Sequence, residues 1–177
     1  MQAALQGVSP TEVFLPAVSP GQIWFNFPND YYPTDEACIY AVADALKHEY
    51  RAIVEAGFLL QMDSPELAMA WNRAEFAEKT FADYRQFVAQ HVAAINYALE
   101  GIPADRVRLH LCWGNGERPH VRDCPIDDET KGILQTPTVP RAGPGGLSLH
   151  QAVAGQIHPG AHQARRRWAA QIISSVG

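Results

Sequence analysis

Short apolar runs alternate along residues 11–113 with longer stretches whose apolar residues recur at helical spacing. The run "VFLPAV" within Thr11–Gly21 predicts a short buried strand that leads into a Ser-Pro-Gly turn. The run "FLLQMD" at Phe58–Asp63 predicts a second strand, which a carboxylate closes. The run "VRLHLCW" at Val107–Trp113 predicts a third strand.

Two helices are predicted between these strands. Thr34 is a good N-cap, and the apolar residues after it keep to one side of a helix that Gly57 ends. A longer helical stretch runs from about Pro65 to Glu100, with an apolar stripe and a break near Trp71 to Ala74. The order of elements is therefore strand, helix, strand, helix, strand.

This order predicts the class of the fold. Strands that are joined by helices pair in parallel through right-handed crossovers, because antiparallel neighbours need only a tight turn between them. Strands that are mostly apolar are also typical of a parallel sheet. We therefore expect an α/β fold.

The pattern changes from about Thr130. Residues 130–177 contain no Asp or Glu, and prolines and glycines interrupt the segment repeatedly. Only "HQARRRWAAQIISSV" could form a helix, and its apolar side is weak. We expect a first unit at residues 1–130 and an atypical Pro/Gly/Arg-rich tail at residues 131–177 that packs poorly. Contact between the basic run of this tail and an anionic partner is the alternative.

Composition and charge narrow the functional classes. The 177 residues are 47% hydrophobic, which is enough for one domain with a core. A formal net charge of −5 argues against a general basic surface for nucleic acid. No apolar run is long enough for a membrane span, and the N-terminus lacks the pattern of a signal peptide. We expect a cytoplasmic protein that binds neither nucleic acid nor membrane.

The cysteines and one histidine suggest a metal site. An odd number of cysteines, three, favours free thiols or metal ligands over a disulfide framework. His110 and Cys112 are two residues apart on the third predicted strand, so both point to one face at its carboxyl end. An imidazole and a thiolate together suit Zn²⁺. The spacing alone is a weak signal and favours the other interpretation, a buried cysteine beside a half-buried histidine in a core strand.

Asp63 is a second candidate for chemistry, because it closes an apolar strand with a carboxylate. At the carboxyl end of a strand, this group could bind a substrate amine or a proton. The alternative is a helix N-cap, because Asp-Ser-Pro-Glu is a fair helix start. The local pattern does not decide between the two.

Other polar residues have weaker patterns. Tyr31 and Tyr32 lie in a predicted loop and are expected at the surface. His91 lies on the apolar side of the second helix, where we expect it to pack rather than to bind a metal. Cys124 lies in a predicted loop, 12 residues after Cys112, and is an alternative third ligand.

Four motifs follow one another in a recognisable order between about residues 11 and 127. They are "VFLPAVSPG", "YYPTDEACIYAVADALKHEYRAIVEAGFLLQMDSPELA", "INYALEGIPADRVRLHLCWGN" and "PH..D". In sequence and spacing these motifs resemble the C-terminal catalytic domain of cobalamin-independent methionine synthase and its shorter relatives. The resemblance is specific because several motifs keep their order and their approximate distances.

That resemblance implies a (β/α)8 barrel and zinc-dependent transfer of a methyl or alkyl group to a small thiol, usually homocysteine. The family's His-x-Cys pair supplies two zinc ligands and matches His110 and Cys112. The family's Asp in "Q-I-D-E-P", which binds the substrate amino acid, matches Asp63 in "QMDSP". The donor is methyltetrahydrofolate in methionine synthase, and the electrophile is an epoxide in the related epoxyalkane:coenzyme M transferase branch.

The sequence also departs from the family pattern. Ser64 stands where the motif has a Glu, His150 stands near the position of a Glu ligand, and no cysteine follows Cys124. A complete barrel needs roughly 250 residues. We therefore expect a partial barrel that is truncated at both ends. The alternative function is a non-catalytic remnant with an incomplete zinc site, which self-associates through open strand edges.

Overall fold

The computed structural model describes residues 2–112 of the 177-residue chain. The strands are β1 (Phe14–Val18), β2 (Leu59–Asp63) and β3 (Val107–His110). The helices are α1 (Pro20–Asn26), α2 (Asp35–Glu55), α3 (Glu66–Met69) and α4 (Phe81–Ala98). Short 3-10 turns occupy Gln2–Leu5, Ala70–Asn72, Ala74–Phe76 and Ala104–Arg106. Across residues 2–112, every helix is too short or too polar to span a lipid bilayer.

The three strands form one parallel sheet in the order β1-β2-β3. In its register Val18 is opposite Asp63, and Asp63 is opposite His110. Two backbone hydrogen bonds of 3.0 Å extend the pairing past the strands. Ser19 N–H donates to the Asp63 carbonyl, and Ser64 N–H donates to the His110 carbonyl. The carboxyl ends of these strands therefore lie side by side, at what we call the carboxyl edge.

Helices cover one face of this sheet. Side chains alternate along each strand, and one alternating set packs into the helix-covered core. This set consists of the partly buried Leu15 and the buried Ala17, Leu60, Met62, Val107 and Leu109. The opposite face, which we call the open face, carries the exposed side chains of Phe14 and Val18. Asp63 and His110 alternate with the core set, so they belong to the open face.

The bounds of α2 agree with the sequence prediction. Thr34 is the N-cap, and its hydroxyl accepts a 3.1 Å hydrogen bond from Ala37 N–H. After the helix, Gly57 adopts φ 88°, a left-handed conformation that favours glycine. Within the helix, Tyr50 donates a 2.6 Å hydrogen bond to the Val18 carbonyl. Burial raises the pKa of Tyr50, so the phenol remains a donor and ties α2 to the end of β1.

The predicted Ser-Pro-Gly turn is wrong, because α1 begins at this point. Ser19 is the N-cap of the helix, and its hydroxyl accepts a 3.0 Å hydrogen bond from Gln22 N–H. Pro20 occupies the first turn, where a helix does not need its missing N–H. Ser-Pro is typical of both turns and helix starts, and the helix that follows has only 7 residues. Such a short helix shows too few turns for an apolar period to be recognised.

The helical stretch predicted from Pro65 to Glu100 is broken, as expected, but over a wider region. Residues 70–80 form 3-10 turns and irregular backbone between α3 and α4. A capping box starts α4: the Thr80 hydroxyl accepts from Asp83 N–H, and the Asp83 carboxylate accepts from Thr80 N–H. The apolar pattern conceals this restart, because Phe76 in the turn packs on aromatic residues of α4.

β3 is shorter than predicted, since it ends at His110 rather than at Trp113. Leu111 and Cys112 follow it in irregular backbone. The predicted boundary at residue 130 and the Pro/Gly/Arg-rich tail lie outside the described residues. The partial barrel also stays a prediction, because parallel strands with intervening helices occur in both barrels and open sheets.

Candidate metal centre

Asp63 and His110 meet at the carboxyl edge of the sheet. They are register partners at the ends of β2 and β3, and both belong to the open face. His110 Nδ1 contacts Asp63 Oδ1 directly. The side chain of His110 is 17% exposed and that of Asp63 is 36% exposed. The pair is therefore partly buried and still accessible to a small ligand.

This contact assigns the two imidazole nitrogens of the neutral ring. A carboxylate only accepts hydrogen bonds. Nδ1 of His110 therefore carries the hydrogen and donates a hydrogen bond to Asp63. The lone pair of the neutral imidazole is then on Nε2. In metal sites, a carboxylate on one ring nitrogen commonly orients the other nitrogen toward the metal. The geometry therefore suits metal binding by His110 through Nε2.

Cys112 follows His110 on the same side of the chain. Leu109 and Leu111 are buried, whereas His110 and Cys112 have intermediate exposure. The alternation of the strand thus continues beyond its last residue. The Cys112 sulfur is a thiol and not half of a disulfide. A carboxylate, an imidazole and a thiol therefore share this edge, and we call Asp63, His110 and Cys112 the open-face cluster.

The N-cap alternative for Asp63 is wrong. The N-cap of α3 is Pro65, which has no side-chain acceptor, and the Asp63 carboxylate contacts His110 instead. Ser64, which replaces a Glu of the resembled motif, is fully buried. Its hydroxyl oxygen has no hydrogen-bond partner within residues 2–112. Asp63 therefore presents its carboxylate to the open face rather than to a helix end.

A second polar pair lies next to the open-face cluster. Arg108 Nε donates a 3.0 Å hydrogen bond to Gln61 Oε1, in strand positions two residues before His110 and Asp63. The Arg108 guanidinium also lies 3.3 Å from the centroid of the Phe14 ring. Partial burial lowers the pKa of Arg108, which nevertheless remains a cation. Sequence reasoning missed this pair, although alternation along both strands predicts that it shares the face.

Behind the same edge, on the helix side, lies what we call the buried cluster: Ser19, Glu66 and His91. The Ser19 hydroxyl donates to Glu66 Oε1 over 2.6 Å, and His91 Nδ1 lies 3.9 Å from the same oxygen. Glu66 is 0% and His91 3% exposed. His91 also packs against the rings of Trp24 and Phe87, so its predicted packing role is confirmed. Sequence reasoning missed Glu66, because an acidic residue in a first helical turn is ordinarily exposed.

The described residues hold only part of the predicted zinc site. Within residues 2–112, no group of three or more His, Cys, Asp and Glu side chains is arranged to hold a metal ion. His110 and Cys112 are two predicted ligands, and Asp63 orients the first of them. Cys124, the alternative third ligand, lies outside the described residues, as does His150, which stands near the position of a Glu ligand of the family. The metal role of the pair and the substrate role of Asp63 stay predictions.

The remaining candidate residues are not part of the open-face cluster. Tyr31 and Tyr32 form an edge-to-face pair in an exposed loop, as expected for surface residues. A groove of about 650 Å³ lies between α1 and the start of α4, with aromatic walls that include Trp24 and Phe87. No residue of the open-face cluster lines this groove. The groove and the open-face cluster are therefore separate features of the described residues.

These observations define a class of site: a carboxylate, an imidazole and a thiol at the carboxyl edge of a parallel sheet. Among curated proteins, the chain is similar to methionine synthases of Saccharolobus islandicus, for example those of strains L.S.2.15 and M.14.25. Each is 28% identical over 102 residues, which make up 56% of this chain and 26% of the relative. The chain spans about a quarter of the length of these relatives. This similarity supports a distant relationship to methionine synthase.

The other two comparisons add no relative. No protein-family model matches the chain. No solved structure matches it either. The distant relationship to methionine synthase therefore rests on the curated sequences, and the roles of individual residues stay predictions.

Proposed function

We propose that this chain carries a zinc-dependent site for transfer of a methyl or alkyl group to a small thiol, with His110 and Cys112 as two zinc ligands. The contact between His110 Nδ1 and Asp63 at the carboxyl edge is the single observation that supports the proposal best. It occurs in a chain that is distantly similar to methionine synthases. Zinc dependence, the thiol and the donor are all parts of the proposal.

The donor atoms fit zinc. A neutral imidazole nitrogen and a thiolate sulfur are preferred zinc ligands, and both residues alternate onto one side of the chain. Asp63 holds the His110 ring by its Nδ1 atom, as carboxylates do in many zinc sites. A tetrahedral site needs further ligands. Cys124 is the candidate for one of them in the rest of the sequence.

The side chains around the site suit a small amino-acid thiol. Zinc, when bound, supplies the positive charge that keeps a substrate thiol deprotonated at neutral pH. Asp63 uses one carboxylate oxygen on His110, and its other oxygen can accept a hydrogen bond from a substrate ammonium group. Arg108 places a positive charge on the same face, where it can attract a substrate carboxylate. The chain thus binds and orients the thiol compound.

Zinc analysis of the purified full chain tests the proposal. We expect about one zinc per chain in the wild type, and its loss in His110→Ala and Cys112→Ser, since each change removes a ligand. Cys38→Ser is the matched control. Cys38 lies at the start of α2, where burial raises the pKa of its thiol and disfavours the metal-binding thiolate.

Two results would contradict the proposal. One is a wild-type chain that binds no zinc in proportion to protein. The other is zinc that stays bound in both His110→Ala and Cys112→Ser.

An activity assay follows from the same proposal. The zinc-loaded chain should alkylate a small thiol such as homocysteine when it is given a methyl donor, and Asp63→Asn should weaken the binding of that thiol compound.

A non-catalytic chain that associates with itself is the second candidate function. Phe14 and Val18 are 37% and 40% exposed on the open face, and β1 and β3 are edge strands within residues 2–112. Exposed apolar residues and unpaired strand edges favour association. Sedimentation of the zinc-free chain tests this candidate: Phe14→Lys should shift an oligomer toward monomer, whereas a monomeric wild type would eliminate it.

A further inference from the structure

The segment 63–66 is held at both sides of the carboxyl edge. Asp63 accepts a hydrogen bond from Ser19 N–H, which ties the segment to the end of β1. Ser64 N–H donates to the His110 carbonyl, which ties it to the end of β3. Both bonds are 3.0 Å long. The backbone that carries the Asp63 side chain is therefore fixed between its two neighbours.

The Glu66 side chain adds a third tie. It folds back to Ser19, whose hydroxyl donates to Glu66 Oε1 over 2.6 Å. That distance is in the range of a hydroxyl that donates to an ionised carboxylate, which is a strong bond. Ser19 thus holds the segment 63–66 twice, through its N–H at Asp63 and through its hydroxyl at Glu66.

The hydrogen bond between Ser19 and Glu66 is buried beneath the helices. Glu66 Oε2 has no hydrogen-bond partner within residues 2–112, and neither has His91 Nδ1, which lies 3.9 Å from Glu66 Oε1. A buried carboxylate is costly unless a cation or donor compensates it, and His91 is the basic group beside it. Gly21 makes room for the pair: a Cβ there would lie 2.2 Å from His91 Nδ1 and 2.7 Å from Glu66 Oε1.

From this geometry we infer that Glu66 is a positioning residue for the contact between Asp63 and His110. It acts through Ser19 and through the backbone at Asp63, and it does not touch the zinc or the substrate. The functional part of the inference, that Glu66 supports the zinc site, rests on the proposed function. Its geometric part, that Glu66 holds the carboxyl edge in place, stands on the hydrogen bonds alone.

Native-state hydrogen exchange of the full chain, measured by NMR, tests the geometric part. Glu66→Gln keeps the shape of the side chain and removes the charge that strengthens the hydrogen bond from Ser19, and Ser19→Ala removes that hydrogen bond altogether. We expect the amides of residues 19 and 64, after correction for intrinsic exchange rates, to exchange about tenfold faster in both variants. The amide of Leu59, which donates to the Val13 carbonyl at the opposite end of β2, should speed up clearly less than these two amides, because it reports only the loss of global stability.

Val92→Ala is the matched control, because Val92 is buried on α4 like His91 and its truncation lowers global stability. It should speed the exchange of all three amides by a similar factor. A merely structural role of Glu66 would give this same uniform pattern and would overturn the inference. Unchanged exchange in Glu66→Gln and Ser19→Ala would overturn it as well.

Zinc affinity, measured by competition with a chelator, tests the link to the site. We expect Glu66→Gln to weaken zinc binding about tenfold, as residues that support metal ligands do, and Val92→Ala to leave it unchanged. Equal zinc affinity in Glu66→Gln and wild type would overturn the link. If the wild type binds no zinc, the proposed function fails, while the exchange rates still decide whether Glu66 holds the edge.

Discussion

The carboxyl edge of the sheet carries two polar clusters that differ in exposure. The open-face cluster is partly buried on a face where apolar side chains are also exposed. The buried cluster is almost completely sealed, and its carboxylate lies next to a hydroxyl and an imidazole of the same cluster. Side chains that bind a ligand must stay accessible, whereas side chains that hold the backbone can be sealed. We expect the first cluster to supply the metal ligands, and the second to stabilise the fold and to hold the first in position.

The largest effect on the free energy of unfolding is expected for His91→Leu. This change leaves the buried carboxylate of Glu66 with the Ser19 hydroxyl but without its basic neighbour, and the loss of a partner from a buried polar group costs about 1–3 kcal/mol, or more for a charged group. Urea unfolding at pH 7 measures the loss. His48→Leu, on the exposed side of α2, is the control and should change stability by less than about 0.5 kcal/mol. Similar losses in both variants would contradict the prediction that the buried cluster contributes more to stability than an exposed histidine does.

A smaller loss is expected for Ser19→Ala. The change removes the hydroxyl that donates to Glu66 and that caps α1 by accepting from Gln22 N–H, which together are worth about 1–2 kcal/mol. Ser64→Ala is the control at the same edge, because its buried hydroxyl oxygen has no hydrogen-bond partner within residues 2–112. Unfolding curves should show little change, or a gain, for the control. A control as unstable as Ser19→Ala would contradict this account.

Asp83→Asn compares the exposed cap of α4 with the buried His91 on the same helix, and its effect should be smaller still. Hydrogen bonds from the Thr80 side chain and backbone lower the pKa of Asp83. Because the folded pKa is lower than the unfolded one, the ionised cap stabilises the fold fully above about pH 4 and less as the pH falls through the folded value.

Unfolding at several pH values measures this dependence. The difference in stability between wild type and Asp83→Asn should be largest near pH 7 and should shrink on acidification below about pH 4. Asp105→Asn, in an exposed turn, removes the same charge and serves as the control. A difference that grows on acidification would contradict the assignment of the cap.

The smallest effect on stability is expected for Cys112→Ser in metal-free protein. The residue is partly exposed beyond the end of β3, so the free energy of unfolding should change by less than about 0.5 kcal/mol. Cys112→Ser should nevertheless abolish zinc binding. Unfolding in the presence of a chelator measures the stability of the metal-free protein separately from the effect of zinc. A large loss of stability without metal would place Cys112 in the core and remove the contrast between the clusters.

The sequence predicted the open-face cluster better than the buried one for a physical reason. His110 and Cys112 are two residues apart in the sequence, and the alternation of β3 continues just beyond its last residue, so alternation alone places them on one side. The pairing of Asp63 with His110 follows only from the sheet register, which the sequence did not specify. The prediction of zinc came from the resemblance to a known family. Residues 2–112 show no complete metal-binding group that could test it.

The buried cluster could not be predicted, because its parts come from three separate segments. Ser19 resembled part of a turn, Glu66 resembled an exposed residue of a first helical turn, and His91 was one of several residues on an apolar stripe. Only the packing of α1 and α4 over the sheet edge brings them together. Gly21 illustrates the same point, since its role is the close approach of a side chain from another helix.

X-ray absorption of zinc bound to the full chain tests the central claim most directly, because it identifies the ligand atoms. The account predicts at least one sulfur at about 2.3 Å and one imidazole nitrogen at about 2.0–2.1 Å from the metal. Cys112→Ser should remove a sulfur and His110→Ala an imidazole, whereas Cys38→Ser should leave the spectrum unchanged. Zinc bound only by oxygen, or a spectrum that neither Cys112→Ser nor His110→Ala alters, would contradict the claim.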